Sequence, residues 1–277
     1  MNMAVTAPTH AISRSAFVHI QQLFHRASGI LLPDSKMPLV ASRLRCRLAV
    51  TALPDFDAYC RLLQSKQGEE EARIVVDLLT TNETYFFREP VHFQHLAQHV
   101  LPPLAGREVK VWCAASSSGE EPYSIAMTLA RELGEEGRWS VHATDLSRRV
   151  LERARRGVYA MARLDNMPPD VLRQYCLRGT GQYQGMLRVA PQLRERVQFA
   201  EHNLMHRPQG MGPFDVIFMR NVLIYFDVPT KERIVQLALH ALRPGGWLYV
   251  GRSETLYGMN LPLESVQPSI YRKSGAA

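Results

Sequence analysis

Apolar residues recur at helical spacing through the first part of the chain. Within residues 13–98 they repeat every three or four positions, as in Phe17, Ile20 and Phe24, and this spacing places side chains on one face of a helix. Three stretches rich in turn-forming residues interrupt the pattern, at 29–33, 53–54 and 67–68. The pattern predicts a small, all-helical domain.

The pattern changes near residue 109. A run of β-forming residues, Val109–Cys113, leads into a loop of small residues and then into a helix with apolar positions at Ile125 and Leu129. A second apolar strand follows and ends at Asp145. This order predicts a βαβ unit whose loop lies at the carboxyl end of the first strand, where doubly wound sheets bind ligands and where an acid after the next strand can accept ribose hydroxyls.

The α/β pattern continues to the end of the chain. Ser147 is a plausible N-cap for a helix that stops at Gly157. The later predicted elements are a β excursion within Gly179–Phe199, a buried strand at Phe214–Phe218, an amphipathic helix over Pro229–Leu242, a strand at Trp247–Val250 and a last strand around Ser269–Arg272. We therefore predict a doubly wound α/β sheet that carries a small β insertion.

The loop after the first strand favours a cationic ligand. A dinucleotide fingerprint has three spaced glycines around a pyrophosphate, whereas this loop has Gly119 followed by Glu120 and Glu121. These carboxylates would repel a pyrophosphate but attract a sulfonium and an ammonium, so S-adenosylmethionine fits better than NAD or ATP. The alternative is an ordinary small-residue turn with surface glutamates.

Composition narrows the class of protein. The chain has 277 residues, 46% of them hydrophobic, and a formal net charge of +7, which suits nucleic acid, a membrane surface or an acidic protein equally well. No apolar run approaches the ~20 residues of a membrane span, and the N-terminus lacks signal-peptide character, so we expect a cytoplasmic protein. The four scattered cysteines indicate neither a zinc site nor a disulfide framework.

Four motifs then stand in the order and approximate spacing of one family. They are TTNETYFFREP at 80–90, AASSSGEEPYS at 114–124, ATDLS at 143–147 and FDVIFMRNVLIYFD at 214–227. With them the chain resembles the CheR-type chemoreceptor glutamate methyltransferases along nearly its whole length. The resemblance implies a Rossmann-like class I methyltransferase domain at 106–277 with a β insertion at about 177–200, preceded by a helical domain at 1–89 and a linker helix at 90–105.

The resemblance also implies an activity. It is the S-adenosylmethionine-dependent O-methylation of glutamate side chains on the cytoplasmic rods of chemoreceptors. A carboxylate is already a nucleophile at neutral pH, and the sulfonium carries an activated methyl group. Displacement therefore needs alignment more than acid–base chemistry, and we expect no metal, no catalytic base and no covalent intermediate.

The family's functional positions map onto this sequence residue by residue. Arg88 and Tyr225 are the expected catalytic residues; Arg88 would pair with a carboxylate of the cofactor or of the substrate, and Tyr225 would close the methyl-transfer cleft. Glu120 would meet the cofactor's ammonium and Asp145 its ribose. The full set of expected cofactor-binding residues is Asn82, Thr84, Arg88, Ala114, Glu120, Asp145, Asn203, Leu204, Arg220 and Asn221.

Two further features suggest how substrate is held. Lys36, Arg43 and Arg47 share one face of a predicted helix, which could meet an acidic receptor surface, and charge reversal at Arg43 and Arg47 is then expected to weaken methylation but not cofactor binding. The β excursion resembles that of family members that add a receptor's C-terminal peptide as an extra strand, with Arg188 near the peptide's carboxylate. The alternatives are a solvated arginine face and a purely structural insertion.

Two other functions stay open at this point. A nucleic acid methyltransferase is favoured only by the net positive charge of the chain. Against it, RNVLIYF at 220–226 differs from the polar-proline-aromatic motif of nucleic acid enzymes that methylate amino groups. A non-catalytic sensor that binds the cofactor would be expected to lack Arg88 or Tyr225, and both are present.

Overall fold

The computed structural model describes residues 11–164 and 166–275 and divides the chain into two units, Met1–Thr81 and Asn82–Ala277. The boundary lies before the predicted one at residue 89. The reason is that the segment after Thr81 is bonded to the second unit: the Ser117 hydroxyl donates to the Asn82 carbonyl at 2.9 Å, and the Phe87 N–H donates to the Ser124 hydroxyl at 2.9 Å.

The first unit is helical, as predicted. Its helices are α1 (Arg14–Ser28), α2 (Met37–Thr51), α3 (Phe56–Gln64) and α4 (Glu69–Leu79). Ser13 caps α1 by accepting from the Ala16 N–H at 3.0 Å, and Gly29, with φ of 75°, ends it in the left-handed conformation. Phe17, Ile20 and Phe24 are all buried, so the helical periodicity of the sequence corresponds to the core of this unit.

Two arginines of α2 are bound within the first unit. The Arg43 Nη1 group donates to the carbonyl oxygens of Leu79 and Thr80 at 2.8 and 3.0 Å, at the C-terminal end of α4, where helix carbonyls lack intrahelical partners. Arg47 forms a two-point ion pair with Glu71, with both N···O distances 2.7 Å. Each contact ties α2 to α4.

These contacts correct the predicted docking face. Of its three cations only Lys36 is exposed, whereas Arg43 and Arg47 are half-buried and bound to α4. The helical wheel shows which side chains share a face but not whether a neighbouring helix covers that face. Charge reversal at Arg43 or Arg47 is therefore expected to disturb the fold of the first unit, so a loss of methylation in these variants would not by itself show that the face docks substrate.

The second unit is built on a sheet of seven strands in the order β6-β2-β1-β7-β8-β10-β9. The first five strands in this order are parallel, and β10 runs antiparallel to both of its neighbours, β8 and β9. The strands are β1 (Val109–Ala114), β2 (Trp139–Asp145), β6 (Val197–Glu201), β7 (Phe214–Met219), β8 (Leu242–Val250), β9 (Leu263–Gln267) and β10 (Ile270–Lys273). The predicted doubly wound α/β class is confirmed.

A second, smaller sheet has three strands in the order β3-β5-β4. Its strands are β3 (Val158–Ala160), β4 (Cys176–Arg178) and β5 (Met186–Val189). The insertion therefore begins earlier than predicted, and residues 197–201 lie outside it, paired with β2 at the edge of the main sheet. Strand-like alternation in the sequence cannot reveal with which sheet a strand will pair, because that depends on distant partners.

Helices complete the second unit. They are α5 (Pro90–His95), α6 (Glu120–Leu133), α7 (Arg148–Arg156), α8 (Pro169–Tyr175), α9 (Pro191–Arg194) and α10 (Val228–Leu239), with a short π-helical stretch at Leu96–Val100. Ser147 caps α7 and the left-handed Gly157 ends it, as predicted. No helix in the described parts of the chain is both long enough and apolar enough to cross a bilayer.

Candidate functional site

The predicted site residues of the second unit gather at one edge of the main sheet. Because β1, β2, β6, β7 and β8 are parallel, their carboxyl ends share that edge. Ala114 ends β1, Asp145 ends β2, Asn203 follows β6 closely, and Arg220 and Asn221 follow β7 directly. The topology therefore brings together residues that are far apart in the sequence.

The loop after β1 has a conformation that its small residues permit. Ala115, Ser117 and Gly119 all have positive φ, at 65°, 50° and 99°. At Gly119 there is no room for a side chain, because an added Cβ would lie 2.7 Å from the Tyr159 hydroxyl and 2.8 Å from the Ala154 Cβ. The small-residue pattern in the sequence thus reflects both backbone conformation and close packing.

Asp145 fixes this loop. Its Oδ2 accepts from the Ser117 N–H at 2.8 Å and its Oδ1 from the Ser147 N–H at 3.0 Å, while its backbone carbonyl accepts from the His202 N–H at 3.0 Å. Each carboxylate oxygen has a second lone pair, so the same group can also accept hydroxyl donors from a ligand. Asn203, next to His202, accepts the Met205 N–H at 3.0 Å through its side chain.

Glu120 begins α6 and is buried. Its Oε2 accepts from the Ser118 hydroxyl at 2.6 Å. A carboxylate in the first turn of a helix is stabilised by the partial positive charge of the helix N-terminus. This stabilisation supports a buried anion of the kind that the sequence prediction required for binding an ammonium group.

The segment from Asn82 to Glu89 carries the predicted catalytic arginine. Asn82 and Thr84 are half-buried, and Phe86 and Phe87 are buried. The Arg88 guanidinium lies 5.5 Å from the centre of the Tyr85 ring and donates to the Glu83 carbonyl oxygen at 3.2 Å. Within residues 11–164 and 166–275 no carboxylate pairs with Arg88, so its charge can receive one from a ligand.

A buried ionic cluster, which the sequence prediction missed, underlies this segment. The fully buried Arg220 side chain pairs with Glu121 Oε2 at 2.8 Å and with Glu89 Oε2 at 3.1 Å, and it donates to the Arg88 carbonyl oxygen. Arg220 is predicted to contact the cofactor; in this structure its guanidinium binds these protein groups. Glu121, predicted as part of the cation-binding loop, likewise points to Arg220.

Burial and the neighbouring charges both shift the pKa values of the groups in and around this cluster. Burial raises the pKa of Glu121 more than Arg220 lowers it, and it also raises that of the Cys113 thiol, whose Sγ lies 3.2 Å from Glu121 Oε1. For Glu89, burial favours a higher pKa, but the Arg220 charge together with hydrogen bonds from Arg220, the Arg252 N–H and the Asn221 side chain outweighs it, and the pKa is lowered. Burial lowers the pKa of His92 to about 4, so this imidazole is neutral at pH 7.

The last predicted residues of the site lie in the segment after β7. Asn221 has a positive φ of 56°, and Tyr225 ends a single 3₁₀ turn, Leu223–Tyr225, with its side chain half-buried. The backbone of this segment is bound by the buried carboxylate of Glu254, another residue that the sequence prediction missed. A glutamate in a loop has no periodic signal, which is why only the tertiary structure reveals its partners.

One predicted residue lies apart from this edge: Arg188 is on the exposed side of β5 in the small sheet. Leu204 follows Asn203 in the turn after β6 and so lies at the edge with it. In the described part of the chain no group of three or more His, Cys, Asp or Glu side chains is arranged to hold a metal ion.

The chemistry of the edge fits S-adenosylmethionine. Carboxylates at Glu120 and Asp145 suit an ammonium and two ribose hydroxyls, and the buried Ser116 hydroxyl has no hydrogen-bond partner among the described residues. The parallel sheet, the small-residue loop after β1 and the acid at the end of β2 together define a class I S-adenosylmethionine-dependent methyltransferase.

Comparisons with known proteins identify the family. Residues 15–80 match the all-alpha domain of CheR methyltransferase and residues 82–271 match its SAM binding domain. A chemotaxis protein methyltransferase of Escherichia coli (strain K12) is 46% identical over 246 residues, covering 88% of this chain and 85% of the relative. Chemotaxis protein methyltransferase 2 of Pseudomonas aeruginosa is 40% identical over 262 residues, covering 94% and 93%.

The chain belongs to the CheR methyltransferase family. The predicted family, fold class, enzyme class and cofactor are thereby confirmed. The roles of the individual site residues stay predictions.

Proposed function

We propose that this enzyme transfers the methyl group of S-adenosylmethionine to glutamate side chains on the cytoplasmic part of chemoreceptors, forming methyl esters. The observation that carries the proposal is that Arg88, in the Asn82–Glu89 segment of a CheR-family chain, forms no ion pair with a carboxylate among residues 11–164 and 166–275. An arginine can pair with a carboxylate at two points. The named relatives are chemotaxis methyltransferases, which supports receptors as the substrate and the cytoplasm as the location.

The residues at the sheet edge have distinct proposed roles. Glu120 holds the cofactor's ammonium, Asp145 its ribose hydroxyls, and Asn203 with Leu204 its adenine. When bound, S-adenosylmethionine supplies a methyl group on a sulfonium that leaves as a neutral thioether. Arg88 orients a carboxylate and Tyr225 borders the transfer cleft. Proper alignment can supply roughly 7–11 kcal/mol of the barrier, so these residues act by positioning.

The test is to follow the methyl group. The protein is incubated with cofactor labelled in the methyl group and with membranes that contain chemoreceptors, and protein and nucleic acid are then separated. We expect label in receptor protein that mild base releases as methanol, because carboxyl methyl esters hydrolyse whereas N-methyl groups do not. Label in nucleic acid, or base-stable label in protein, would refute the proposal.

We further propose that the small sheet binds a C-terminal peptide of the receptor as an additional strand. Two observations support this. β4 pairs with β5 on one side, and Leu177 and Arg178 on β4 are exposed, as is Arg188 on β5. An exposed strand edge can accept another strand, and the arginines can attract a terminal carboxylate.

The peptide proposal can be tested separately from catalysis. Titration of candidate receptor tail peptides should show binding that does not depend on S-adenosylhomocysteine and that Arg188→Glu weakens. Arg149→Glu, on the exposed side of α7, is the matched control. If no peptide binds, and receptors without tails are methylated equally fast, the small sheet has no tethering role.

A further inference from the structure

The Glu254 carboxylate accepts hydrogen bonds from the backbone N–H groups of two loops. Glu254 lies in the turn after β8 and is buried, with 6% of its surface exposed. Its Oε2 accepts from the Gly251 and Asn221 N–H groups at 2.5 and 2.8 Å, and its Oε1 accepts from the Ile224 N–H at 3.2 Å. Hydrogen bonds to an ionised acceptor are stronger than neutral ones.

The segment that Glu254 holds has little other backbone support. Asn221 is in the left-handed region with φ of 56°, which is uncommon for a residue other than glycine and persists only where surrounding contacts enforce it. The backbone then makes a single 3₁₀ turn that ends at Tyr225. The N–H groups of Asn221 and Ile224 thus bond to a side chain instead of to a strand or a long helix.

The loop after β7 and the loop after β8 approach each other so closely at residue 251 that only a glycine fits there. A Cβ added at Gly251 would lie 2.6 Å from the Asn221 Nδ2 and 2.8 Å from the Glu254 Oε2. On the other side, the Glu89 carboxylate accepts from the Asn221 side-chain amide at 3.4 Å and from the Arg252 N–H at 3.2 Å. The segment after β7 is therefore bonded to the buried carboxylate of Glu254 and to the partly buried carboxylate of Glu89.

We propose that Glu254 is a positioning residue for methyl transfer. Its carboxylate fixes the backbone of residues 221–224, and with it the placement of Asn221 and Tyr225 at the transfer cleft. The inference rests on the function proposed above. It follows from the need for alignment in a displacement reaction, in which a misplacement of about 1 Å can lower the rate on the order of 100-fold.

The first test is Glu254→Gln, which keeps the shape of the side chain but replaces one acceptor oxygen with a donor facing an N–H group. We expect kcat for receptor methylation to fall on the order of 10- to 100-fold, with smaller changes in receptor KM and in S-adenosylhomocysteine Kd. Glu254→Asp retains the charge and should recover part of kcat. The matched control is Glu264→Gln on β9, where the side chain is exposed. A kcat for Glu254→Gln equal to that of the control would overturn the proposal.

Hydrogen exchange on the unmodified enzyme gives a second test that does not depend on how the variants fold. The amides of Asn221 and Ile224 should be protected although they lie outside long helices and strands. Exchange at the rate of unprotected loop amides would overturn the proposal. If the unmodified enzyme methylates no receptor, the proposed function fails instead, and protection of these amides still decides whether Glu254 fixes the segment.

Discussion

The position of Asp145 at the end of a strand could be predicted from the sequence, but its hydrogen bonds could not. An acid after the second strand of a βαβ unit is expected to face a ligand. In the structure its carboxylate also holds the N–H groups of Ser117 and Ser147. The acid that we propose for the ribose therefore also shapes the loop after β1.

Replacement of Arg88 should impair catalysis and leave the fold intact. A hydrogen bond to a charged group contributes about 1.5–3 kcal/mol, so we expect Arg88→Ala to reduce kcat/KM about 10- to 100-fold. In the part of the chain that the structure describes, its guanidinium contacts one carbonyl oxygen and the Tyr85 ring, so the change in unfolding free energy should be within about 0.5 kcal/mol.

The Arg88 experiment also separates the two possible carboxylate partners. A weaker affinity for S-adenosylhomocysteine by calorimetry would mean that Arg88 holds the cofactor, whereas a raised receptor KM would mean that it holds the substrate glutamate. Arg149→Ala on the exposed side of α7 is the control. Near-normal turnover of Arg88→Ala would contradict the proposed catalytic role of Arg88.

His92 should make the second unit less stable in mild acid. Burial lowers its pKa to about 4, and the nearby Arg220 charge acts in the same direction while Glu89 opposes it. Since an unfolded histidine has a pKa of about 6.5, the unfolded chain binds more protons between these values, and stability is lost as the pH falls from about 6.5 to 4. The loss reaches roughly 3 kcal/mol at pH 4.

The measurement is denaturant unfolding from pH 7 to pH 4. Wild type should lose more stability over this range than His92→Gln, even if that variant is less stable at pH 7. The charges of Glu89 and His95 act on His92, so the difference between the two proteins reports the titration of His92 together with its coupling to these neighbours. His240→Gln, at an exposed position, should behave as wild type, and parallel pH profiles for His92→Gln and wild type would contradict the assignment.

At the scale of elements, helices were easier to predict than strand pairing. Phe17, Ile20 and Phe24 identify α1 because helix partners lie three or four residues apart. β6 was assigned to the wrong sheet because its partner, β2, lies far away in the sequence. The sequence also did not show whether a polar helix face is exposed to solvent or packed against another helix. In α2, Arg43 and Arg47 bind α4 and its C-terminal end.

Loss of the Arg47 guanidinium should destabilise the first unit. Arg47 and Tyr59 both donate to Glu71, and these hydrogen bonds lower the pKa of Glu71 although burial favours a higher one. Removing one partner of a mostly buried pair costs about 3–5 kcal/mol, and partial exposure reduces this to roughly 2–4 kcal/mol for Arg47→Ala. Thermal unfolding measures the change.

The control for this prediction is on the same helix. Arg45 is exposed, so Arg45→Ala should change the unfolding free energy by less than about 0.5 kcal/mol. Equal destabilisation by the two substitutions would show that the Arg47–Glu71 pair contributes no more than a surface side chain does.

At the scale of the whole molecule, charge should govern the encounter with substrate. The net charge of +7 attracts acidic partners over a distance of about 10 Å at 0.1 M salt, and the attraction is screened as salt rises. We expect receptor KM to increase several-fold between about 0.05 and 0.3 M salt, because the on-rate depends on this attraction.

Cofactor binding is the internal control for the salt experiment. The ligands proposed for it, Glu120 and Asp145, are buried, and buried charges are screened much less. The affinity for S-adenosylhomocysteine should therefore change less than receptor KM over the same range. A receptor KM that does not vary with salt would exclude long-range attraction from recognition.

The sequence by itself determined the features that depend on local spacing and on ordered motifs. These are the helical first unit, the βαβ unit with its loop of small residues, and the family to which the four motifs belong. Helical and strand periodicities arise from neighbours within a few residues, so they can be seen in the chain directly. The positions of Asp145 and Arg220 at strand ends follow from the same local order.

Only the tertiary structure decided which side chains neutralise one another. Arg220 with Glu89 and Glu121, and Glu254 with the backbone of Asn221, pair residues from separate loops. Arg43 and Arg47 were predicted to form part of a docking face, and in the structure both are bound to α4 and its C-terminal end. The physical reason is that a buried charge requires a partner, and the fold supplies that partner from any part of the sequence.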